Sequence, residues 1–368
     1  MNRSVTVVAC LLAGTLIFPF TALAQGSFPE VNFGGRLQLD YTYFDNDKYD
    51  YDSGGEVRRG RLFARGSLAS DWQFKLQVDF APDDPELKDG YLQYTGFDNA
   101  RVWVGNFKQP SGLEQLTSSN NITFTERSLV NSLQEGRRMG VAYQRWGEQT
   151  TLMLSAFGDE ANGLVEGSGV AGRFVYHPQL SGERVLHFGI SAARSEDEDD
   201  KVRFRTRPES HQDGHRIIST GAILHVDKLL RTGLEAAYVD GRFSAQAEFV
   251  DIKLSRRGGS DLSFSGYYAY ASYFLTNDSR AYKANDGAFD KVDPNSSGGA
   301  WELALRFSRL DLTDGGIRRG EAATFTLGLN YYATPNLRFM ANYVAADSDM
   351  LAGNDDPNSL QLRMQITF

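Results

Sequence analysis

Leu360-Gln361-Leu362-Arg363-Met364-Gln365-Ile366-Thr367-Phe368 alternates strictly to the end of the sequence. Successive side chains of an extended chain point to opposite sides, so Leu360, Leu362, Met364, Ile366 and Phe368 share one face and Gln361, Arg363, Gln365 and Thr367 share the other. One face is greasy and the other is wet. Either a half-buried strand of a soluble sandwich or a strand between lipid and water would read this way.

The pattern recurs upstream. Trp72, Phe74, Leu76, Val78 and Phe80 alternate with Gln73, Lys75, Gln77 and Asp79, and Trp301, Leu303, Leu305 and Phe307 alternate with Glu302, Ala304, Arg306 and Ser308. Phe243 to Phe249 and Phe325 to Tyr331 repeat it. Marking every such run gives about 16 strands, the even number that a single-chain bacterial barrel requires. The connections sort by length in alternation. Short ones fall at Ala69 to Asp71, Gly96 to Ala100, Trp146 to Glu148, Pro178 to Glu183, Asp240 to Gly241 and Thr334 to Asn336. Long ones fall at Asp45 to Gly55, Lys108 to Glu135, Asp159 to Ser168, Ser195 to Arg231, Asp311 to Arg319 and Asp347 to Asn358. Short periplasmic turns opposite long outer loops are the asymmetry of an outer-membrane barrel, and the closing Phe368 resembles the sorting signal of such barrels. Asn277 to Gly298 departs from this pattern: it is long, yet the strand count puts it on the periplasmic side. The pairs Tyr267-Tyr268 and Tyr331-Tyr332 are expected near strand ends, as an interfacial girdle.

Address and composition agree with that fold class. Arg3, the apolar run Val5 to Phe20 and Ala22-Leu23-Ala24 read as a cleaved secretory signal over residues 1–24, leaving 25–368 as the barrel domain. Cleavage removes Cys10, the single cysteine, so the mature chain is expected to form no disulfide and no thiolate metal site. Mean hydropathy is -0.40, and beyond the signal no apolar run approaches the roughly 18 residues of a membrane helix. The formal net charge of -9 argues against a nucleic-acid partner. Acidic clusters sit in segments that read as loops, Asp45 to Asp52, Glu196 to Asp200 and Asp347 to Asp356, whereas arginines recur in or beside strands.

Those arginines are the informative chemistry. Arg59, Arg61 and Arg65 share a face opposite Leu62, Ala64 and Leu68, and Lys201, Arg203, Arg205 and Arg207 form a second row. Arg at mid-membrane costs roughly 2–4 kcal/mol, so in a barrel strand the leucine face meets lipid and the arginines line the lumen. Stacked guanidinium groups there make an anion path. The competing arrangement pairs them with lumen carboxylates such as Asp79, Asp89 or Glu248 and yields only a wet wall. The segment Lys108 to Glu135, with Thr117, Ser118, Ser119, Asn120 and Asn121 between Lys108 and Arg127, folds either into the lumen as a constriction or outward as a solvated loop.

Several blocks in order resemble the phosphate-selective porin O and P family: Val57-Arg58-Arg59-Gly60-Arg61-Leu62, Leu87-Lys88-Asp89-Gly90-Tyr91-Leu92, Val104 to Pro110, Gly112-Leu113-Glu114, Leu116-Thr117-Ser118-Ser119, Arg137-Arg138-Met139-Gly140, Arg203 to Glu209 and Phe274-Leu275-Thr276. The resemblance implies an all-β transmembrane antiparallel barrel of 16 strands with an inward-folded third loop, a homotrimer, and a ladder of arginines leading anions to a central site. Arg59, Ser118 and Ser119 would belong to that site and Arg203, Arg205 and Arg207 to the ladder. Where phosphate-selective members carry a lysine after the Leu-Glu pair of the third loop, this chain has Gln115; Lys88 and Lys108 are the nearby cations that would compensate. The expected partners are small anions such as phosphate, outer-membrane lipid and lipopolysaccharide, with no cofactor.

Catalytic patterns do not stand out. His211 and His215 have a metal-like spacing but no obvious third ligand, and no G-x-S-x-G, Walker loop or H-E-x-x-H occurs. A general-diffusion barrel, or a plugged structural or adhesive barrel with acidic outer loops, in either case without anion selectivity, is the alternative function, and conductance discriminates the plugged form.

Overall fold

The computed structural model describes residues 28–178, 184–196, 201–314, 320–349 and 353–368. The expected signal, most of the Pro178 to Glu183 turn and residues 197–200 lie outside them. Sixteen strands form one closed antiparallel barrel: β1 (Glu30–Asp45), β2 (Gly54–Ala69), β3 (Trp72–Asp79), β4 (Glu86–Phe97), β5 (Ala100–Lys108), β6 (Arg137–Trp146), β7 (Thr150–Phe157) and β8 (Ser168–Tyr176). The second half comprises β9 (Val185–Glu196), β10 (Val226–Asp240), β11 (Phe243–Arg256), β12 (Leu262–Phe274), β13 (Ala300–Asp311), β14 (Glu321–Thr334), β15 (Leu337–Asp349) and β16 (Asn358–Thr367). Each pairs with its sequence neighbours, and β16 closes on β1 with Arg36 opposite Thr367 and Asp45 opposite Asn358. Closure leaves no unpaired edge, which a membrane demands because hydrocarbon offers backbone groups no hydrogen bonds.

Burial decides between sandwich and barrel. Along β13, Arg306 keeps 1% of its surface exposed and Ser308 0%, while Phe307 between them keeps 40%. The greasy face looks outward and the wet face inward, the reverse of a soluble core. Leu62 and Leu68 likewise face out opposite Arg59 and Arg61. The same period corrects the girdle expectation. Tyr267 faces out while Tyr268 is buried in the lumen; Tyr331 stacks on Trp301 at 4.4 Å outside, whereas Tyr332 points in. Only one residue of each adjacent pair can reach the interface.

Connection lengths follow the expected asymmetry with two exceptions: residues 80–85 and 257–261, on the long-loop rim, are short. The long segment 275–299 does sit on the short-turn rim, because β12 and β13 pair directly from Phe274 opposite Glu302. Its length is used inside the barrel. Tyr282–Lys283 pairs with Ala288–Phe289 as a small hairpin, and Gln144 Nε2, Thr151 Oγ1 and Arg173 Nη2 donate to its carbonyls at Asn285 (2.6 Å), Ala284 (2.8 Å) and Gly287 (2.7 Å).

The third long loop, residues 109–136, turns into the lumen through a short helix, α1 (Leu113–Leu116), and a 3-10 turn at Leu129–Leu133. Glu248 of β11 accepts the Leu113 and Glu114 N–H groups at 2.9 and 2.6 Å. Beyond the helix, Arg338 Nη1 donates to the Ile122 carbonyl at 2.8 Å. Toward the outer mouth, Phe124, Leu129, Val130 and Leu133 of this loop pack with Phe204, Ile217 and Ile218 against Ile252, Leu254, Phe264 and Leu310 of the wall. Apolar packing therefore fills one side of the lumen, and the open space is bordered by β1–β7 and β14–β16.

Candidate functional site

Below the third loop lies a chamber of about 1300 Å³ bordered by twelve basic side chains and four acidic ones, Asp89, Asp286, Asp290 and Asp293. A chain of net charge -9 thus encloses a cationic space, because its acids lie mostly elsewhere and period two turns the strand arginines inward.

The basic groups fall into two sets. In the first, charge is met by charge. Arg61 Nε lies 2.6 Å from Asp79, Lys75 and Arg137 share Asp89 at 2.6 and 2.9 Å, and Arg101 pairs with Asp286 of the inserted hairpin. Arg59 lies 3.5 Å from Glu126 and donates to Gln38 Oε1 at 2.7 Å. Burial alone would raise the Glu126 carboxyl, but Arg58, Arg59 and Arg363 hold it well below its usual range.

The second set, Arg36, Arg65, Lys108, Arg127 and Arg338, has no carboxylate within salt-bridge distance among the described residues. Four of these cations use neutral acceptors instead, while the Arg65 guanidinium lies over the Phe63 ring, 5.3 Å from its centroid. Arg36 Nη1 donates to Ser119 Oγ and Asn120 Oδ1, both at 2.7 Å. Lys108 Nζ donates to the Gln115 and Thr117 carbonyls, the latter at 3.2 Å, and Arg127 donates to the Glu114 and Thr117 carbonyls at 2.9 Å each. Lys108 and Arg127 therefore neutralise the carbonyl end of α1. Burial pulls the Arg127 guanidinium down to about 10, against the opposing pull of Glu114 and Glu126.

Of the residues expected from sequence, Arg59, Arg61, Arg65, Lys108, Gln115, Ser118 and Ser119 border this chamber together. Ser119 meets Arg36 rather than Arg59, and Gln115 Nε2 donates to the Glu135 carbonyl at 3.3 Å. Lys88 does not border it. The β3–β4 register breaks between Gln77 and Val78, where Gln77 faces Asp89 and Val78 faces Leu87, and the bulged Lys88 turns to Glu86. Arg203 and Arg205 are exposed on the segment before β10 and alternate with the buried Phe204 and Thr206, so these two members of the second row share a face. That row lies at the outer mouth rather than in the chamber. Its charges crowd: burial and then Arg58 lower Arg207, and burial, Arg207 and Arg205 bring Arg216 to about 10.

The sequence reading missed Arg36, Arg101 and Arg338 and gave Arg127 and Arg137 no role. Alternation alone puts Arg36 on the polar face of β1 with Gln38 and Asp40, but its meeting with the third loop, 83 residues away, has no local signal. His211 and His215 bond to Glu56 and Asp213, at 2.7 and 2.6 Å, and not to each other. Among the described residues no group of three or more His, Cys, Asp or Glu could hold a metal ion.

A closed barrel with an apolar outer belt, an inward third loop and a wet lumen is a channel-forming protein of the bacterial outer membrane, a porin. The chain matches the model of the family described as phosphate-selective porin O and P over residues 31–368, and it belongs to that family. It is 28% identical to Porin O of Pseudomonas aeruginosa over 91% of this chain and 87% of that protein. Solved structures of the same fold include an anion-selective porin from Comamonas acidovorans, at 14% identity and a TM-score of 0.60, covering 92% of this chain and 99% of that one. A trimer form of OmpT from Vibrio cholerae has 11% identity and a TM-score of 0.55, covering 92% and 99%.

Proposed function

We propose that this porin is a passive, anion-preferring diffusion channel for phosphate, polyphosphate or other small anions. The observation that carries the reading is the set of five basic side chains bordering the chamber that make no salt bridge among the described residues, four of them, Arg36, Lys108, Arg127 and Arg338, held by neutral acceptors alone. A mobile anion is the natural counter-charge for such a set, and protonated guanidinium groups supply it at any physiological pH. Arg59, Arg61 and Arg65 would contribute to the same path, and the outer row Arg203, Arg205 and Arg207 would gather anions at the mouth.

Reversal potentials of the purified protein across a salt gradient test this reading. Anion preference is expected, and cation preference overturns it. The family's expected lysine is tested separately with Gln115→Lys. A third cation joins Lys108 and Arg127 at the end of α1, so phosphate should block chloride current at lower concentration than in wild type. An unchanged block would mean that the third loop does not form the phosphate site.

The apolar packing that fills one side of the lumen toward the outer mouth favours a second reading, a plugged barrel whose loops serve adhesion. Absence of single-channel conductance would select it. Assembly as a homotrimer in lipopolysaccharide-containing membrane is part of the proposal, and the mass of the detergent-solubilised particle, corrected for bound detergent, checks it.

A further inference from the structure

The chamber wall is not uniformly charged. Tyr91, Trp103, Phe107 and Met153 point inward from β4, β5 and β7 and pack as one strip. The Tyr91 and Trp103 rings lie 5.9 Å apart, and those of Trp103 and Phe107 meet edge-on at 5.4 Å. Phe107 and Met153 are buried, whereas Tyr91 and Trp103 are only half covered and border the open space. Cations bracket the strip along the pore. On its outer side Lys75 and Arg137 share Asp89, two residues before Tyr91 on the same strand face. On its periplasmic side the Arg101 guanidinium lies over the Trp103 ring at 4.8 Å and shares Asp286 with Lys283, so each tier sets two cations against one carboxylate and keeps a positive charge in excess.

A hydrated inorganic anion gains from the cations and nothing from the rings, which then stay against water at a free-energy cost. A solute with a flat apolar body and a negative group covers the rings and meets a cationic tier at once. We propose that the chamber favours organic anions bearing an aromatic ring, aryl phosphates and aryl carboxylates, with the ring against Tyr91 and Trp103 and the charge on the tier above or below. This names a substrate class for the proposed anion path and rests on that reading.

The test uses the full mature protein in a planar bilayer carrying chloride current, with phenyl phosphate compared against methyl phosphate and benzoate against acetate. The aryl member of each pair should block at about two- to tenfold lower concentration, the range for one good aromatic contact. Trp103→Ala should bring both ratios toward one in a channel that still prefers anions, and Trp103→Phe should keep most of the difference. Tyr91→Leu serves if the alanine variant does not assemble. Equal block within each pair, in a wild-type channel that still prefers anions, overturns the aromatic slot and leaves the anion path standing. An undiminished ratio in Trp103→Ala or Tyr91→Leu also overturns it, whereas a cation-selective reversal potential removes the anion path itself.

Discussion

At the scale of single residues, pairing rather than position separates the lumen arginines. Arg36 and Arg61 both line the chamber, but Arg61 is held by Asp79 at 2.6 Å and Arg36 touches only neutral oxygens. A unit charge 4 Å away is worth about 1 kcal/mol in a water-like medium, so Arg36→Gln should weaken anion block about fivefold. Asp79→Asn should act in the opposite direction, because it releases the Arg61 charge to the lumen. Reversal potentials of the two variants check the signs, and a shift of both in the same direction would contradict the pairing argument. Alternation made Arg59, Arg61 and Arg65 legible in the sequence as an inward row. It carried no information on which of them meets an acid, because Asp79 and Glu126 arrive from other segments.

At the scale of elements, two segments narrow the lumen, and each is anchored by a few polar contacts. Glu248 receives both N–H groups at the start of α1. Glu248→Ala leaves those buried donors unpaired, which costs about 1–3 kcal/mol and should let the third loop move. Larger single-channel conductance with more open-channel noise is expected, and an unaltered trace would mean that the loop is held elsewhere. The hairpin within 275–299 is held partly by Asp286, which lies against Arg101 and at 2.7 Å from Lys283. Burial pushes the Asp286 carboxyl up, but Arg101 and Lys283 outweigh it and hold the group below its ordinary value. A depressed carboxyl stabilises the fold fully above its unfolded pKa of about 3.9 and loses that contribution only as pH falls through the lower folded value. Conductance should therefore show no hairpin-linked transition between neutral pH and about pH 4. Asp286→Asn should reproduce at neutral pH the loosening that acid causes in the wild type.

The inward course of the third loop was legible through the family blocks around Lys108 to Ser119, whereas the hairpin was not. Its length marked 275–299 as anomalous, but nothing local says that Tyr282 and Phe289 find partners inside a barrel closed by strands far away in sequence. Lys88 fails for a simpler reason. Asp89 and Tyr91 face the chamber, so alternation already turns Lys88 to the other side, and nearness in sequence is no guide to which side a strand residue faces.

At the scale of the whole molecule, the inverted distribution of apolar residues makes the barrel depend on lipid. Leu305 lies on the outward face of β13, among the exposed belt of Leu303 and Phe307. Leu305→Arg should destabilise the inserted barrel by about 2–4 kcal/mol, read from urea unfolding in lipid vesicles. A cost near zero would mean that this face does not meet hydrocarbon. The sequence by itself determined the all-β class, the even strand count and which side of each strand is wet, because period-two alternation is a local property that backbone geometry converts directly into two faces. Only the tertiary structure decided where the constriction lies and which cations are left without an acid. Those depend on closing β16 onto β1 and on segments scores of residues apart meeting inside the cylinder, and no local pattern encodes such a meeting.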